Sequence, residues 1–176
     1  DSGVKIWQLL PLNPVGYGNS PYQPYSSCAG DALYISLELL KEDGLLEEEV
    51  PSFREKETRV DYEAVRAFKT PYLRKAVENF LTQGRESQPE YQEFISQKWV
   101  YEYCGYRALK AANGGVCWNE WKPEEKNWPE NRTELPAGVE EEAKYQLVLQ
   151  YFFYTPWMPV QAQAHHFGLQ ILADVP

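Results

Sequence analysis

The chain has 176 residues, and its 26 acidic residues outnumber 17 basic ones to give a net charge of −9. This length suits about one domain, and an acidic chain without a cluster of Lys and Arg does not fit a nucleic-acid partner. No stretch of the sequence has the pattern of a membrane span or a secretory leader, so we expect a cytoplasmic protein that binds no membrane.

Cysteine and histidine do not form the patterns of a disulfide framework or a metal site. Cys28, Cys104 and Cys117 are an odd number at wide spacing, which indicates reduced thiols. His165 and His166 are adjacent and lack the i, i+4 spacing of a helical metal site. We therefore predict no metal site and no cofactor.

Two short apolar stretches, one near each end of the sequence, predict β-strands. Residues 4–12 are the first, and residues 169–175, "LQILADV", are the second. Both have the nearly continuous apolar character of strands buried on both faces of a parallel sheet. Asp174 lies at the end of the second strand.

Helical periodicity begins soon after the first strand. The stretch "SLELLKEDG" predicts a short helix that Gly44 ends with a left-handed cap. Asp61 is placed to cap the next helix, and Thr70 followed by Pro71 predicts a fresh cap and the start of another helix.

The middle of the chain combines one long helical pattern with an irregular segment. The pattern predicts a helix over about residues 89–110, in which Gly105 marks either a break or a close contact. Residues 113–138 are rich in Gly, Pro, Trp and charge, which indicates an irregular functional or docking loop, with its three Trp rings docking it.

A last helix is predicted from about Val139, and Pro156 and Pro159 predict a kink or a stop within it. Strand, helical excursion and strand form a crossover between parallel strands, but the excursion is much longer than one crossover helix needs. A (β/α)-barrel with a helical insertion explains this length, although two strands cannot close a barrel.

The segment after the first strand, "NPVGYGNSPYQPYSS", changes abruptly to small, hydroxylated and aromatic residues. Gly16 and Gly18 relax the backbone, while Asn19, Ser20 and Tyr22 offer amide and hydroxyl groups beside aromatic faces. This chemistry suits a sugar. A phosphate loop is excluded because no Gly-Lys-Ser/Thr ending follows the glycines. The alternative is a tight turn with packed tyrosines.

The stretch "KIWQLLPLNPVGYGNSPYQPYSSCAGDALYISLELLKEDGLL" resembles the N-terminal barrel region of the 4-α-glucanotransferases, also called amylomaltases or disproportionating enzymes. "WVYEYCGYRALK", "CWNEW" and "GLQILADVP" follow in the family's order, so the resemblance covers essentially the whole chain. It implies an α/β fold that is part of an α-amylase-like (β/α)8 TIM barrel with a mostly helical inserted subdomain. Residues 1–36 would form a barrel strand and substrate loop, 37–138 the inserted subdomain, and 139–176 a helix and the next barrel strand.

The resemblance also implies an activity for the full-length enzyme. Members of the family cleave an α-1,4-glucan by a retaining double displacement and transfer the segment to another sugar, which requires a nucleophilic carboxylate and a carboxylic acid/base. We expect these on later barrel strands, so no catalytic residue is predicted in this chain, and the fragment itself should be inactive. The implied partners are maltooligosaccharides, glucose, and starch or glycogen.

Five residues match family positions in the binding region. Tyr22 corresponds to a tyrosine that stacks on a glucose ring, and Ser20 to a hydroxyl near that sugar. Asn19 stands where relatives often have Asp. Tyr17 corresponds either to part of a second glucan-binding surface or to a loop-packing ring. Asp174 corresponds to an aspartate that supports the sugar or the nucleophile, and we expect Tyr22 and Asp174 on the same rim.

Two departures and two alternatives accompany this assignment. Ala173 replaces a usual glycine, and Pro156 replaces a common glutamine. The chain could instead be a non-catalytic glucan-binding or interaction module, or part of a hydrolytic relative that uses water as the acceptor.

Overall fold

The computed structural model describes residues 3–53, 58–131, 135–136 and 138–174, which form two parallel strands and seven helices. Strand β1 (Ile6–Leu9) pairs with β2 (Gln170–Ala173). The helices are α1 (Leu37–Glu42), α2 (Tyr62–Thr82), α3 (Pro89–Ile95), α4 (Lys98–Ala112), α5 (Pro123–Lys126), α6 (Trp128–Asn131) and α7 (Val139–His166). The chain is therefore α/β, with most of its described residues in helices.

Both predicted strands exist, but they are shorter than expected and are not buried on both faces. Ile6 is 54% exposed in β1, and Leu172 is 53% exposed in β2. The expectation of doubly buried strands is wrong for the described residues: each strand has one partner strand there, and three of the four residues in each strand are exposed. Val175, the end of the second predicted strand, lies outside the described residues.

Local capping helps to set the ends of the first two helices, and Gly44 and Asp61 act there as the sequence predicts. Ser36 Oγ accepts the N–H of Leu39 at 3.2 Å at the start of α1, and Gly44 takes a positive φ of 73° after its end. Asp61 Oδ1 accepts the N–H of Ala64 at 3.0 Å and caps α2.

Helix α2 continues through Pro71, so the predicted second helix starting there is wrong. Thr70 does not act as a cap: its Oγ1 donates to the carbonyl of Arg66 at 2.7 Å, one turn back in the same helix. The part of α2 that follows Thr70 is buried in one core with α7 through four residues: Leu73, Ala76, Val77 and Phe80. Burial of this apolar face offsets the hydrogen bond that the proline removes.

The predicted long helix over 89–110 is two helices, α3 and α4, separated at Ser96 and Gln97. The break is not at Gly105, which lies inside α4. A Cβ built on Gly105 would lie 2.0 Å from a ring carbon of Trp128, so of the two predicted roles the close contact is confirmed.

The described residues of segment 113–138 are irregular, as predicted, and contain a 3-10 turn and the short helices α5 and α6. Trp121 and Trp128 are 5% and 2% exposed and pack against α4 and α7, whereas Trp118 is 56% exposed. Two of the three Trp rings therefore dock the segment.

Helix α7 runs for 28 residues and contains both Pro156 and Pro159, so the predicted stop is wrong. Its buried face, including Val148 and Phe152, shares one core with residues of α1, α2 and α3. Helix α7 is thus packed into the helical part of the chain as well as beside β2.

Three further findings concern membrane-spanning helices, metal ligands and cysteines. Among the described residues, no helix is both long and apolar enough to cross a membrane. The same residues hold no cluster of three or more His, Cys, Asp or Glu side chains suited to a metal ion. Cys28, Cys104 and Cys117 are all free thiols, and Cys104 is buried.

Candidate functional site

The polypeptide after β1, residues 13–30, folds back on itself and is called here the β1 loop. The N–H of Gly16 donates to the carbonyl of Gln23 at 3.0 Å, and the N–H of Tyr25 donates to the carbonyl of Pro14 at 2.9 Å. A Cβ on Gly16 would lie 2.7 Å from the Gln23 oxygen. Glycine is therefore required for the two arms of the loop to approach this closely.

The tip of the β1 loop is shaped by a left-handed backbone and a hydroxyl-centred turn. Gly18 and Asn19 have φ values of 76° and 54°, which glycine and asparagine tolerate best. Ser20 Oγ accepts the N–H of Tyr22 at 3.3 Å, and the Ser20 carbonyl accepts the N–H of Gln23 at 3.2 Å. This turn projects Tyr22 away from the loop.

Tyr22 and Asp174 meet at the carboxyl end of the two parallel strands. The Tyr22 hydroxyl donates to Asp174 Oδ2 at 2.9 Å, although the two residues are 152 positions apart in sequence. The N–H of Asp174 donates to the carbonyl of Leu9 at 3.1 Å, which holds the residue at the end of β2. The prediction that they share one rim is confirmed, and the Tyr22 ring remains 50% exposed.

The contact with Asp174 also changes the acidity of the phenol. The hydrogen bond to the carboxylate raises the pKa of Tyr22 above its ordinary value, and desolvation and the negative charge of Asp174 add to this effect. A phenol is protonated at neutral pH even without this shift, so the Tyr22 hydroxyl is available as the donor to Asp174. The Tyr22 hydroxyl, the Asp174 carboxylate and the half-exposed Tyr22 ring are thus held together at the carboxyl end of β1 and β2.

The other three predicted site residues lie elsewhere on the β1 loop. Asn19 Oδ1 accepts a hydrogen bond from Arg66 Nη2 at 2.5 Å, so its amide oxygen is held by α2. The Tyr17 ring is 94% exposed and is not packed in the loop. The Ser20 hydroxyl serves the turn below Tyr22. The structure brings Tyr22 and Asp174 into direct contact, while Tyr17, Asn19 and Ser20 flank them along the loop.

The base of the β1 loop is attached to α7. Gln150 Oε1 accepts the N–H of Gly30, and Gln150 Nε2 donates to the Gly30 carbonyl, both at 2.9 Å. A Cβ on Gly30 would lie 2.1 Å from the Phe153 ring. Asn13 Nδ2 adds a hydrogen bond to the Ala29 carbonyl at 2.9 Å. These contacts fix where the loop leaves and rejoins the body of the protein.

Sequence reasoning missed Gln150 and Arg66. Gln150 is a polar residue inside the apolar stretch "LVLQYFF" and is 2% exposed. A lone amide in a buried stripe is a usable signal, because a buried amide needs hydrogen-bond partners. Arg66 has no comparable signal, since it occupies a charged face of α2 like many surface arginines.

Comparison with known proteins gives consistent matches over the whole chain. The Glyco_hydro_77 family model, described as 4-alpha-glucanotransferase, matches residues 1–176. A 4-alpha-glucanotransferase of Thermus thermophilus is 34% identical over 180 residues, covering 100% of this chain and 36% of the relative. One of Clostridium butyricum is 32% identical over 181 residues, covering 99% of this chain and 37% of the relative.

A solved structure agrees with these sequence matches. An amylomaltase from Streptococcus agalactiae in complex with acarbose has a TM-score of 0.82 and 33% identity, over 98% of this chain and 36% of that protein. The chain spans about a third of the length of the relatives it matches.

Proposed function

Given that the chain belongs to the 4-alpha-glucanotransferase family, we propose that it supplies part of the glucan-binding wall of such an enzyme. The complete gene product then moves α-1,4-glucan segments between maltooligosaccharides, or from them to glucose. The observation that carries the proposal is the Tyr22–Asp174 pair at the carboxyl end of β1 and β2. In parallel α/β folds this is the edge of the sheet where ligands bind.

The pair provides the two kinds of contact that a glucose unit uses. The half-exposed ring of Tyr22 offers an apolar face for the C–H groups of a pyranose, and burying that face removes apolar surface from water. The carboxylate of Asp174 accepts hydrogen bonds from sugar hydroxyls, and Tyr22 orients it. Ser20 and Asn19 flank this position, and the exposed Tyr17 ring is proposed as part of a second glucan contact.

The family assignment supports a retaining double displacement on carboxylates outside this chain. We place none of those carboxylates among the present residues. Asp174 is assigned a supporting role, either for the sugar or for the nucleophile, because its carboxylate lies at the strand end where the sugar would sit.

The same assignment supports a (β/α)8 barrel for the complete gene product. The exposed faces of Ile6 and Leu172 suit packing against further barrel strands and helices. In this arrangement residues 1–36 supply a barrel strand and the β1 loop, 37–138 an inserted helical subdomain, and 139–176 a helix and the next strand.

The experiment that tests this proposal is glucose release and chain lengthening from maltotriose by the complete gene product. Tyr22→Ala removes the ring, and we expect kcat/KM to fall roughly tenfold or more, as loss of ~1.5 kcal/mol of ring burial implies. Tyr22→Phe keeps the ring face and loses the hydroxyl, so its loss should be about fivefold or less, from a hydrogen bond of ~1 kcal/mol. Asp174→Asn should lower kcat/KM at least as much as Tyr22→Phe.

The matched control is Tyr101→Ala, which truncates an exposed tyrosine of α4, outside the candidate site. Equal effects of Tyr22→Ala and Tyr101→Ala would contradict the role of Tyr22. Glucan binding without any product would favour the non-catalytic module, and glucose release without longer oligosaccharides would favour the hydrolytic alternative.

A further inference from the structure

A cleft of about 680 Å3 lies behind the β1 loop, between the loop and helices α2, α4 and α7. Its walls carry more cationic than anionic side chains, although the whole chain has a net charge of −9. The cations that line it are Arg66, Lys69, Arg74, Arg107 and Lys110. This local excess of positive charge is opposite in sign to the protein as a whole.

The carboxylates that line the cleft already have partners. Glu63 lies 2.8 Å from Arg66, and Glu142 lies 3.2 Å from Arg74. Asp31 accepts hydrogen bonds from two backbone N–H groups, one with each carboxylate oxygen. Two of the five cations are therefore neutralised by ion pairs.

The other three cations have no carboxylate within ion-pair distance among the described residues. Lys69 Nζ donates to the carbonyls of Leu33 and Ile35 at 2.7 and 2.5 Å. Lys110 Nζ donates to two further backbone carbonyls at 2.8 and 3.2 Å. These hydrogen bonds satisfy the donors but leave the positive charges in place, just as the backbone N–H groups leave the negative charge of Asp31 in place. The lining of the cleft therefore keeps an excess of two positive charges.

Arg107 and Lys110 form the centre of this positive region. They lie one turn apart on α4, and both stand over the Tyr25 ring, at 4.7 Å for the guanidinium carbon and 5.5 Å for the ammonium nitrogen. Arg107 Nε is buried and has no hydrogen-bond acceptor among the described residues. Like charges at this spacing repel, and a buried donor without an acceptor costs free energy, so a negative group beside them is favoured.

We propose that this cleft binds a phosphate monoester or free phosphate, with the anion held by Arg107 and Lys110 beside Tyr25. Arginine and lysine are the side chains that bind phosphate most strongly. The aromatic rings of Tyr17, Tyr103 and Tyr145 also line the cleft, and its volume is within the range of small-molecule sites. The bound anion is therefore either free phosphate or the phosphate group of a sugar phosphate.

This site is separate from the Tyr22–Asp174 pair, neither of whose residues lines the cleft. Its existence does not depend on the proposed transferase activity. Tyr25 belongs to the β1 loop, however, so an anion bound there would add contacts to the arm of the loop that follows Tyr22.

Isothermal titration calorimetry on the complete gene product tests the proposal, with inorganic phosphate, glucose 6-phosphate and glucose as probes. We expect both phosphate compounds to bind. Arg107→Gln and Lys110→Gln should each weaken that binding roughly tenfold or more, the usual effect of losing one charged hydrogen bond. The affinity for glucose should not change in either variant, because glucose carries no negative group.

The matched control is Lys98→Gln, which removes an exposed lysine from the start of the same helix, outside the cleft. It should leave phosphate binding unchanged, and circular dichroism melting checks that each variant is folded. If glucose 6-phosphate binds more tightly than inorganic phosphate, the ligand class is a sugar phosphate. If the two compounds bind with equal affinity, the ligand is the free anion. Both results support the site. Absence of phosphate binding, or equal binding by all three variants, overturns the proposal.

Discussion

Gln150 is the residue that connects the β1 loop to the helical body. Its side-chain amide makes both possible hydrogen bonds to the backbone of Gly30, and it is the buried polar residue of the described core. Gly30 also packs against the Phe153 ring at a distance that leaves no room for a Cβ. Gln150 is therefore one of the α7 side chains that position the loop carrying Tyr22, together with Tyr154, whose hydroxyl donates to the carbonyl of Cys28.

Replacement of Gln150 by leucine tests this dependence. Gln150→Leu leaves the N–H and the carbonyl of Gly30 buried without partners, and each such group costs about 1–3 kcal/mol. We expect the free energy of unfolding to fall by about 2 kcal/mol or more, measured by urea unfolding followed by tryptophan fluorescence. Gln146→Leu is the control: this residue lies one turn earlier in α7 and donates to Glu142, so its effect should be about 0.5 kcal/mol. Equal losses in the two variants would contradict the role of Gln150.

At the scale of single elements, proline has opposite effects in two helices. Pro71 lies in the interior of α2, where it removes a backbone hydrogen bond. Pro89 occupies the first position of α3. The N–H of a residue at that position has no acceptor within the helix, so its absence in proline costs nothing, and the fixed φ of proline suits the helix. Helix α2 persists through Pro71 because the face after it, including Leu73 and Phe80, is buried.

Alanine substitutions separate these two effects. Pro71→Ala restores a helical N–H donor at an exposed position, and we expect the free energy of unfolding to rise by about 1–3 kcal/mol, part of the intrinsic cost of proline in a helix interior. Pro89→Ala should change it by less than about 1 kcal/mol, and in the destabilising direction, because the unfolded chain gains freedom. Thermal unfolding of both variants measures the difference. A loss of stability in Pro71→Ala would show that the proline is favourable there.

At the scale of the whole molecule, the core holds several acids in their protonated form. Burial raises the pKa values of Tyr91, Tyr103 and Cys104, and it raises that of Tyr154 to about 12. These groups are neutral when protonated, so the folded state binds their protons more tightly than the unfolded state does. Their contribution to stability is complete below their unfolded pKa values and is lost as pH rises through the folded ones.

This linkage predicts alkaline unfolding. Urea unfolding midpoints should be nearly constant between about pH 6 and 7.5, begin to fall above about pH 8 as the unfolded Cys104 ionises, and fall steeply above about pH 10 with the tyrosines. Tyr154→Phe removes one of these ionisable groups and should make the fall between about pH 10 and 12 shallower. Stability that stays constant up to about pH 11 would contradict the burial of these groups.

The amino-acid sequence alone determined the features that depend on neighbouring residues. The cap at Asp61, the left-handed Gly44 and the two strands follow from short-range patterns. The family motif around Tyr22 and Asp174 predicted that they share a rim, and their contact confirms it. Their roles in sugar binding, the domain division and the cytoplasmic location stay predictions.

Packing between distant parts of the chain determines the features for which local patterns give conflicting predictions. Local rules start a new helix at Pro71 and kink or stop a helix at Pro156, yet α2 and α7 continue because burial across the core exceeds the cost of one lost hydrogen bond. The attachment of Gly30 to Gln150 and the meeting of Arg107, Lys110 and Tyr25 join residues far apart in sequence. Such contacts depend on how whole helices pack, and sequence periodicity gives the buried face of a helix but not the partner that covers it.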